Sequence, residues 1–180
     1  MSAYKFRVLL DTESNEEIFR DIVINKTDTF EVFYNAVIAS FNFEGNQMAS
    51  FYMSNDNWDK GFEITLLDMS LDDDMIEPVA IMSEQKIVDF IKESAEKMML
   101  VYDFARMWIF LVELIEIVEE KIDQPKVALS IGMAPPEDSR GMDLDDEFGD
   151  FTEDSDDDFM DDYDEEDSFD DYGNYDDEDY

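Results

Sequence analysis

Neither cysteine nor histidine occurs anywhere in the 180 residues. Their absence removes disulfide cross-links, thiol and imidazole nucleophiles, Ser–His pairs, and zinc sites built on sulfur or imidazole. A metal would need an all-oxygen ligand set of the kind that suits Mg2+, Ca2+ or Mn2+. Proton transfer would fall to Asp, Glu, Lys or Tyr. Positive charge is the next scarcity. Twelve Lys and Arg face 50 Asp and Glu, a formal net charge of -38. That balance argues against direct binding of phosphate backbones or anionic membrane surfaces, and it favours a basic partner. Long apolar runs are missing too. In the most apolar stretch, VYDFARMWIFLVELIEI at 101–117, the longest uncharged run is Met107–Val112. A membrane helix needs roughly 18–20 mostly apolar residues, so no span is expected. The N-terminus, MSAYKFRVLLDTESNEE, has no basic region followed by an apolar one. No secretory signal is expected, and the expected compartment is the cytoplasm.

The charge that is present is unevenly placed. From Glu137 to the C-terminus there are 24 acids and one base, Arg140, a net of -23. Residues 1–136 hold 26 acids and 11 bases, a net of -15. The chain therefore divides into a folded part, 1–138, and an acidic tail, 139–180.

Periodicity places elements in the first part. In YKFRVLL, Tyr4, Phe6, Val8 and Leu10 share one face of a strand, with Lys5 and Arg7 opposite. The polar turn DTESNEE leads to a second strand, IFRDIVI, in which Arg20 is the odd member of a face made by Ile18, Ile22 and Ile24. Phe30, Phe33, Tyr34, Val37, Ile38 and Phe41 recur at helical spacing over 28–41. Asp28 is the expected N-cap, Glu31 its capping-box partner and Gly45 the stop signal. QMASFYMS (47–54) and FEITLL (62–67) read as a hairpin around SNDN and WDKG. After the acidic loop LDMSLDDDMIEP, Ser83 is the expected cap of a short helix, EQKIVDFIKES. The 101–117 stretch stays open between helix and two strands. Glu113, Glu116 and Glu120 would line a helical face, whereas Tyr102, Phe104, Trp108 and Phe110 favour strands with a turn near Ala105-Arg106.

A resemblance resolves that choice. Tyr102-Asp103-Phe104 with Trp108, the upstream NDNWDKGFEI, and PKVALSIGMAPPED ending in Pro135-Pro136-Glu137-Asp138 resemble a family of small bacterial domains, the plasmid-Ri open-reading-frame-three-like family, which overlaps transposon passenger proteins. The resemblance covers about Tyr4 to Asp138. It implies a compact α+β domain with a mixed or antiparallel sheet of about six strands and two helices, followed here by a disordered acidic tail, and it makes VYDF and WIFLVELIEI adjacent strands. The family's Gly-Asp turn is Ala105-Arg106 in this chain, so a longer loop or a bulge is expected in place of a tight turn. The family's frequent histidine is absent, and the cysteines that often flank Pro-Pro-Glu-Asp are replaced by Ala134 and Ser139. The resemblance carries a fold and no reaction.

Candidate binding residues are Trp58, Tyr102, Asp103, Trp108, Glu137 and Asp138. Asp103, between aromatics, reads either as a carboxylate with a raised pKa or as a turn former bonding backbone N–H groups, the second being the more ordinary use. Trp58 and Trp108, with Tyr52 and Tyr102, read as a ligand pocket or as core. Glu137 and Asp138 read as acids presented by a rigid loop or as part of a proline-stiffened segment packed across the sheet. In the tail, Asp154, Asp156, Asp158 and Glu165 hold calcium-loop spacing, but Phe159 stands where the loop needs glycine. No metal site, cofactor or catalytic residue is expected.

The tail alternates acids with Phe148, Phe151, Phe159, Tyr163, Phe169 and Tyr172, a pattern of segments that stay disordered until they dock on a basic partner with apolar pockets. A tail that merely limits aggregation is an equally simple reading. The leading expectation is a non-enzymatic interaction module. The alternatives are a carboxylate-based, divalent-metal-dependent enzyme and a nucleic-acid mimic acting through the tail.

Overall fold

The computed structural model describes residues 2–68 and 79–141. Among these residues seven strands form one sheet: β1 Ala3–Leu10, β2 Phe19–Asn25, β3 Ala49–Ser54, β4 Glu63–Thr65, β5 Lys97–Tyr102, β6 Trp108–Val118 and β7 Lys126–Ile131. Their spatial order is β4-β3-β5-β6-β1-β2-β7, and every neighbouring pair is antiparallel. The hairpin β5–β6 is thus inserted between β3 and β1, and β6 is paired along both edges. The stretch 101–117 is two strands with a five-residue loop, Asp103–Met107, since Tyr102 pairs with Trp108. Two members of the loop, Asp103 and Met107, take positive φ, a region that few non-glycine residues adopt.

One helix covers one face of the sheet. Tyr4, Phe6, Val8 and Leu10 of β1, Phe51 of β3 and Phe110, Val112 and Leu114 of β6 are buried there, together with the stripe Phe30, Phe33, Tyr34, Val37 and Ile38 of α1, Phe30–Ser40. Rings interlock across the interface, with Phe33 lying 4.8 Å from Phe6 and 5.6 Å from Phe51. Burying each such side chain contributes about 1.5–3 kcal/mol. Arg20, the polar member of this face, is buried and hydrogen-bonded through Nε and Nη1. Its guanidinium donates to the carbonyls of Ser40, Phe19 and Ile131, tying the carboxyl end of α1 to β2 and β7, where the helix dipole favours a cation.

Helix boundaries differ from the sequence expectation at three points. The N-cap of α1 is Thr29, whose Oγ1 accepts the Val32 N–H at 3.4 Å. Asp28 instead offers its carbonyl to Ile87. The helix is stopped by Asn42 (φ 60°), not by Gly45: the Asn42 and Phe43 N–H groups donate to the carbonyls of Ala39 and Ile38, the left-handed ending in which asparagine replaces glycine. The second helix, α2, spans only Ile87–Phe90 and Ser83 does not cap it. Residues around it bond to the segment before α1, Phe30 N–H to Gln85 and Val88 N–H to Lys26, so tertiary pairing replaces the longer helix. The seventh strand, β7, is additional to the six expected. It ends at Gly132 (φ 73°), where a Cβ would stand 2.7 Å from the Glu17 carbonyl.

Thr29→Ala is expected to lower the unfolding free energy by about 1 kcal/mol, the usual value of an N-cap, while Asp28→Ala, which leaves the carbonyl in place, changes it by less. Urea unfolding of the two variants measures the difference, and a larger loss for Asp28→Ala would place the cap at Asp28.

Candidate functional site

The paired ends of β5 and β6 carry most of the residues singled out in the sequence. Tyr102 and Trp108 are cross-strand partners, both buried, and both lean against Phe43, at 5.9 and 5.1 Å between ring centres. Glu137 reaches them from the short turn Glu137–Ser139. Its carboxylate accepts the Tyr102 hydroxyl at 2.7 Å through Oε1 and the Glu44 N–H at 2.7 Å through Oε2. Its main-chain carbonyl accepts the Trp108 indole N–H at 3.1 Å. The Tyr102 oxygen in turn accepts the Gly45 N–H at 3.0 Å. Gly45 sits at φ 74° and 3.2 Å below Ile38 Cγ2 for any added Cβ, so a larger residue would strain the backbone and crowd the site. Proline at 135 and 136 brings Glu137 in with a restricted backbone, and Asp138 stays exposed.

The chemistry of this cluster is that of a latch. Burial, then the Glu137 hydrogen bond and charge, hold the Tyr102 phenol well above its ordinary range. Burial and the same carboxylate push Tyr34, whose ring lies 6.3 Å from Tyr102, up to about 12. Both phenols are therefore neutral near pH 7, and that of Tyr102 serves as a donor rather than a base. The Tyr34 hydroxyl is buried with no hydrogen-bond partner.

Asp103 is also committed. Oδ1 accepts the N–H groups of Ala105 and Arg106, and Oδ2 accepts the Arg106 guanidinium at 3.0 Å. It forms the turn, at φ 56°. Trp58 lies elsewhere. It belongs to the β3–β4 connection, beyond Ser54, which pairs with Lys97 at the opposite end of β5 from Tyr102. Lys97 Nζ rests over its ring at 5.4 Å. The structure thus brings together Tyr102, Trp108 and Glu137, with Asp103 adjoining, and leaves Trp58 apart. Among the described residues no three carboxylates gather where they could hold a metal ion, and no helix is long and apolar enough to cross a membrane. The tail residues Phe148, Phe151, Phe159, Tyr163, Phe169 and Tyr172, and the calcium-like spacing from Asp154, lie outside the described residues.

A cleft of about 620 Å3 opens beside Trp108, between the β1–β2 loop at Asp11–Glu16 and the segment Met133–Gly141. Arg140 stacks on Trp108 at 5.4 Å, and its Nη1 is buried without a partner. The sequence reading missed Arg140, Tyr34 and the Glu44-Gly45 backbone. Tyr34 was noted only as part of the helical stripe, Arg140 as the one base of the acidic segment and Gly45 as a helix stop.

Glu137→Gln is expected to lower the Tyr102 titration towards the ordinary tyrosine value near 10 and to destabilise the fold by about 1–2 kcal/mol, because the amide cannot accept from both donors. With both phenols raised in the folded state, the stability they contribute is present below pH ~10 and lost as pH climbs through their folded-state values. Ultraviolet titration and alkaline unfolding check this. Ionisation of all tyrosines near 10 would show that the latch does not close.

The profile of the plasmid pRiA4b ORF-3-like protein family matches residues 2–179, so the match continues past Asp138 into the acidic segment. The fold is similar to that of a protein of unknown function, MM3350, from Methanosarcina mazei Go1, with a TM-score of 0.63, 22% identity, and coverage of 78% of this chain and 75% of that one. At that identity the likeness concerns the fold. No curated protein matches the chain. With the family profile spanning nearly its whole length, the chain belongs to the plasmid pRiA4b ORF-3-like family, whose function is uncharacterised.

Proposed function

We propose that the protein is a non-enzymatic interaction module of the cytoplasm, in which the acidic tail binds a basic protein. One observation carries the reading. The polar groups that converge in the folded part, Glu137, Tyr102, Trp108 and Asp103, are spent on one another and on backbone donors, which leaves them nothing to offer a reacting substrate. The strong chemical feature that remains is charge, and from Glu137 onward 24 acids stand against one base. A surplus of that sign attracts a cationic surface and speeds encounter with it. Phe148, Phe151, Phe159, Tyr163, Phe169 and Tyr172 supply the apolar contacts that charge alone lacks. The Glu137 latch fastens the start of this segment to β5 and β6. Neither nucleic acid nor membrane is a direct partner on this reading.

A fluorescent lysine-rich peptide with interspersed leucines serves as the probe. The full chain is expected to bind it at least ten-fold more tightly than a chain ending at Gly141, with the difference shrinking as salt rises. Serine at the six tail aromatics should forfeit several-fold at constant charge. Equal affinity of the truncated chain would sink the proposal, as would a rise in melting temperature with Mg2+ or Ca2+ that the truncated chain retains, since this would return a metal-dependent activity to the folded part.

A further inference from the structure

The two edges of the sheet are treated differently. At one, β4 is only three residues long and the following segment lies along it: Thr65 N–H donates to Ala80, Met82 N–H donates to Thr65, and Thr65 and Ile81 form a parallel bridge. At the other edge, β7 runs for six residues, all of them exposed. It pairs with β2 on one side, and among the described residues no backbone bond satisfies the other. Such an open ladder is a template for another strand, and proteins normally blunt it with charge, proline or cover. Here the blunting features among the described residues are a bulge near Ala128, Lys126 at the start and Pro125 before it. Val127, Leu129 and Ile131 stay 46%, 42% and 41% exposed.

The edge also has a groove. Two adjoining depressions of about 340 and 250 Å3 lie between α1 and the beginning of β7, sharing Ala36 and Pro125. Small side chains on α1, Ala36, Ala39 and Ser40, form the helix side. A helix flanking a free strand edge is the arrangement in which an added peptide strand takes main-chain bonds from the edge and sets alternate side chains in the groove.

Charge selects the occupant. Residues 1–136 carry a net of -15 and the whole chain -38, so a second copy is repelled and a cationic segment attracted. We infer that β7 and the α1 groove form a docking site for an extended segment of a basic protein, apolar at every second position, which joins the sheet as an eighth strand. The site lies on the folded part and does not depend on the tail. It shares with the proposed function only the sign of the partner.

The test uses the full chain and a fluorescent peptide alternating valine and lysine, compared with the same peptide N-methylated at alternate residues. Both carry equal charge, so attraction to the tail cancels between them. The plain peptide is expected to bind at least ten-fold more tightly and to slow amide exchange within 126–131. The double variant Val127→Lys/Leu129→Lys changes only exposed positions and should bring the ratio near one with the melting temperature kept within a few degrees. Equal binding of the two peptides, or unchanged exchange in β7, would overturn the inference. So would a dimer in sedimentation that the double variant dissociates, since this would put a second copy on the edge. Loss of tail binding with the peptide ratio intact would count against the tail reading alone.

Discussion

Strand β6 is paired along both edges, to β1 on one side and β5 on the other. A strand held this way has no free ladder, and its alternate side chains must suit two different environments. Trp108, Phe110, Val112 and Leu114 face α1 and are buried. Ile109, Leu111 and Glu113 face away and are only partly covered. The aromatic core depends on that split, because α1 can lay Phe30, Phe33 and Phe41 only against a continuous apolar surface. On the uncovered face the ladder is charged in register: Lys97, Glu113, Arg7 and Asp21 are successive cross-strand neighbours, and Arg7 holds Asp21 through two bonds of 2.8 and 2.9 Å. Opposite charges on adjacent strands stabilise the register modestly, and a slip by one residue would pair them wrongly.

The same strand end fixes the cluster around Glu137. Because Tyr102 and Trp108 are direct partners, their polar atoms come close enough for one glutamate to receive both, the phenol at its carboxylate and the indole at its carbonyl. A glutamate with these bonds is a fastening for the C-terminal segment. Family membership spans almost the whole chain and supplies no reaction; Glu137, Tyr102, Trp108 and Asp103 satisfy one another and backbone groups, while Arg140 Nη1 and the Tyr34 hydroxyl stay without partners.

Much of the fold was legible from residue order. Alternation in β1 and the helical spacing of α1 named the buried residues correctly, because burial on one face imposes a period of two or of 3.6 on the side chains, whereas β2 is buried on both faces from Arg20 to Ile24 and alternation named only one of them. The helix ends were less legible. Asp28, Thr29, Asn42 and Gly45 are all competent cap or stop residues, and the choice among them depends on which backbone groups a distant segment claims. Strand β7 was missed for a related reason. KVALSI is exposed on both faces, so it carries no burial period, and only its pairing with β2 makes it a strand.

The sequence by itself determined that there is no thiol or imidazole chemistry, that negative charge gathers beyond Glu137, and that alternating stretches and the helical stripe of 28–41 carry apolar faces. These follow from composition and local period, which require no knowledge of distant neighbours. Tertiary structure alone decided that Tyr102, Trp108 and Glu137 meet while Trp58 stands at the far end of β5, and that among the described residues one sheet edge is covered and the other bare. Those outcomes depend on strand order and register, properties of pairs of segments many residues apart, and no local pattern encodes them.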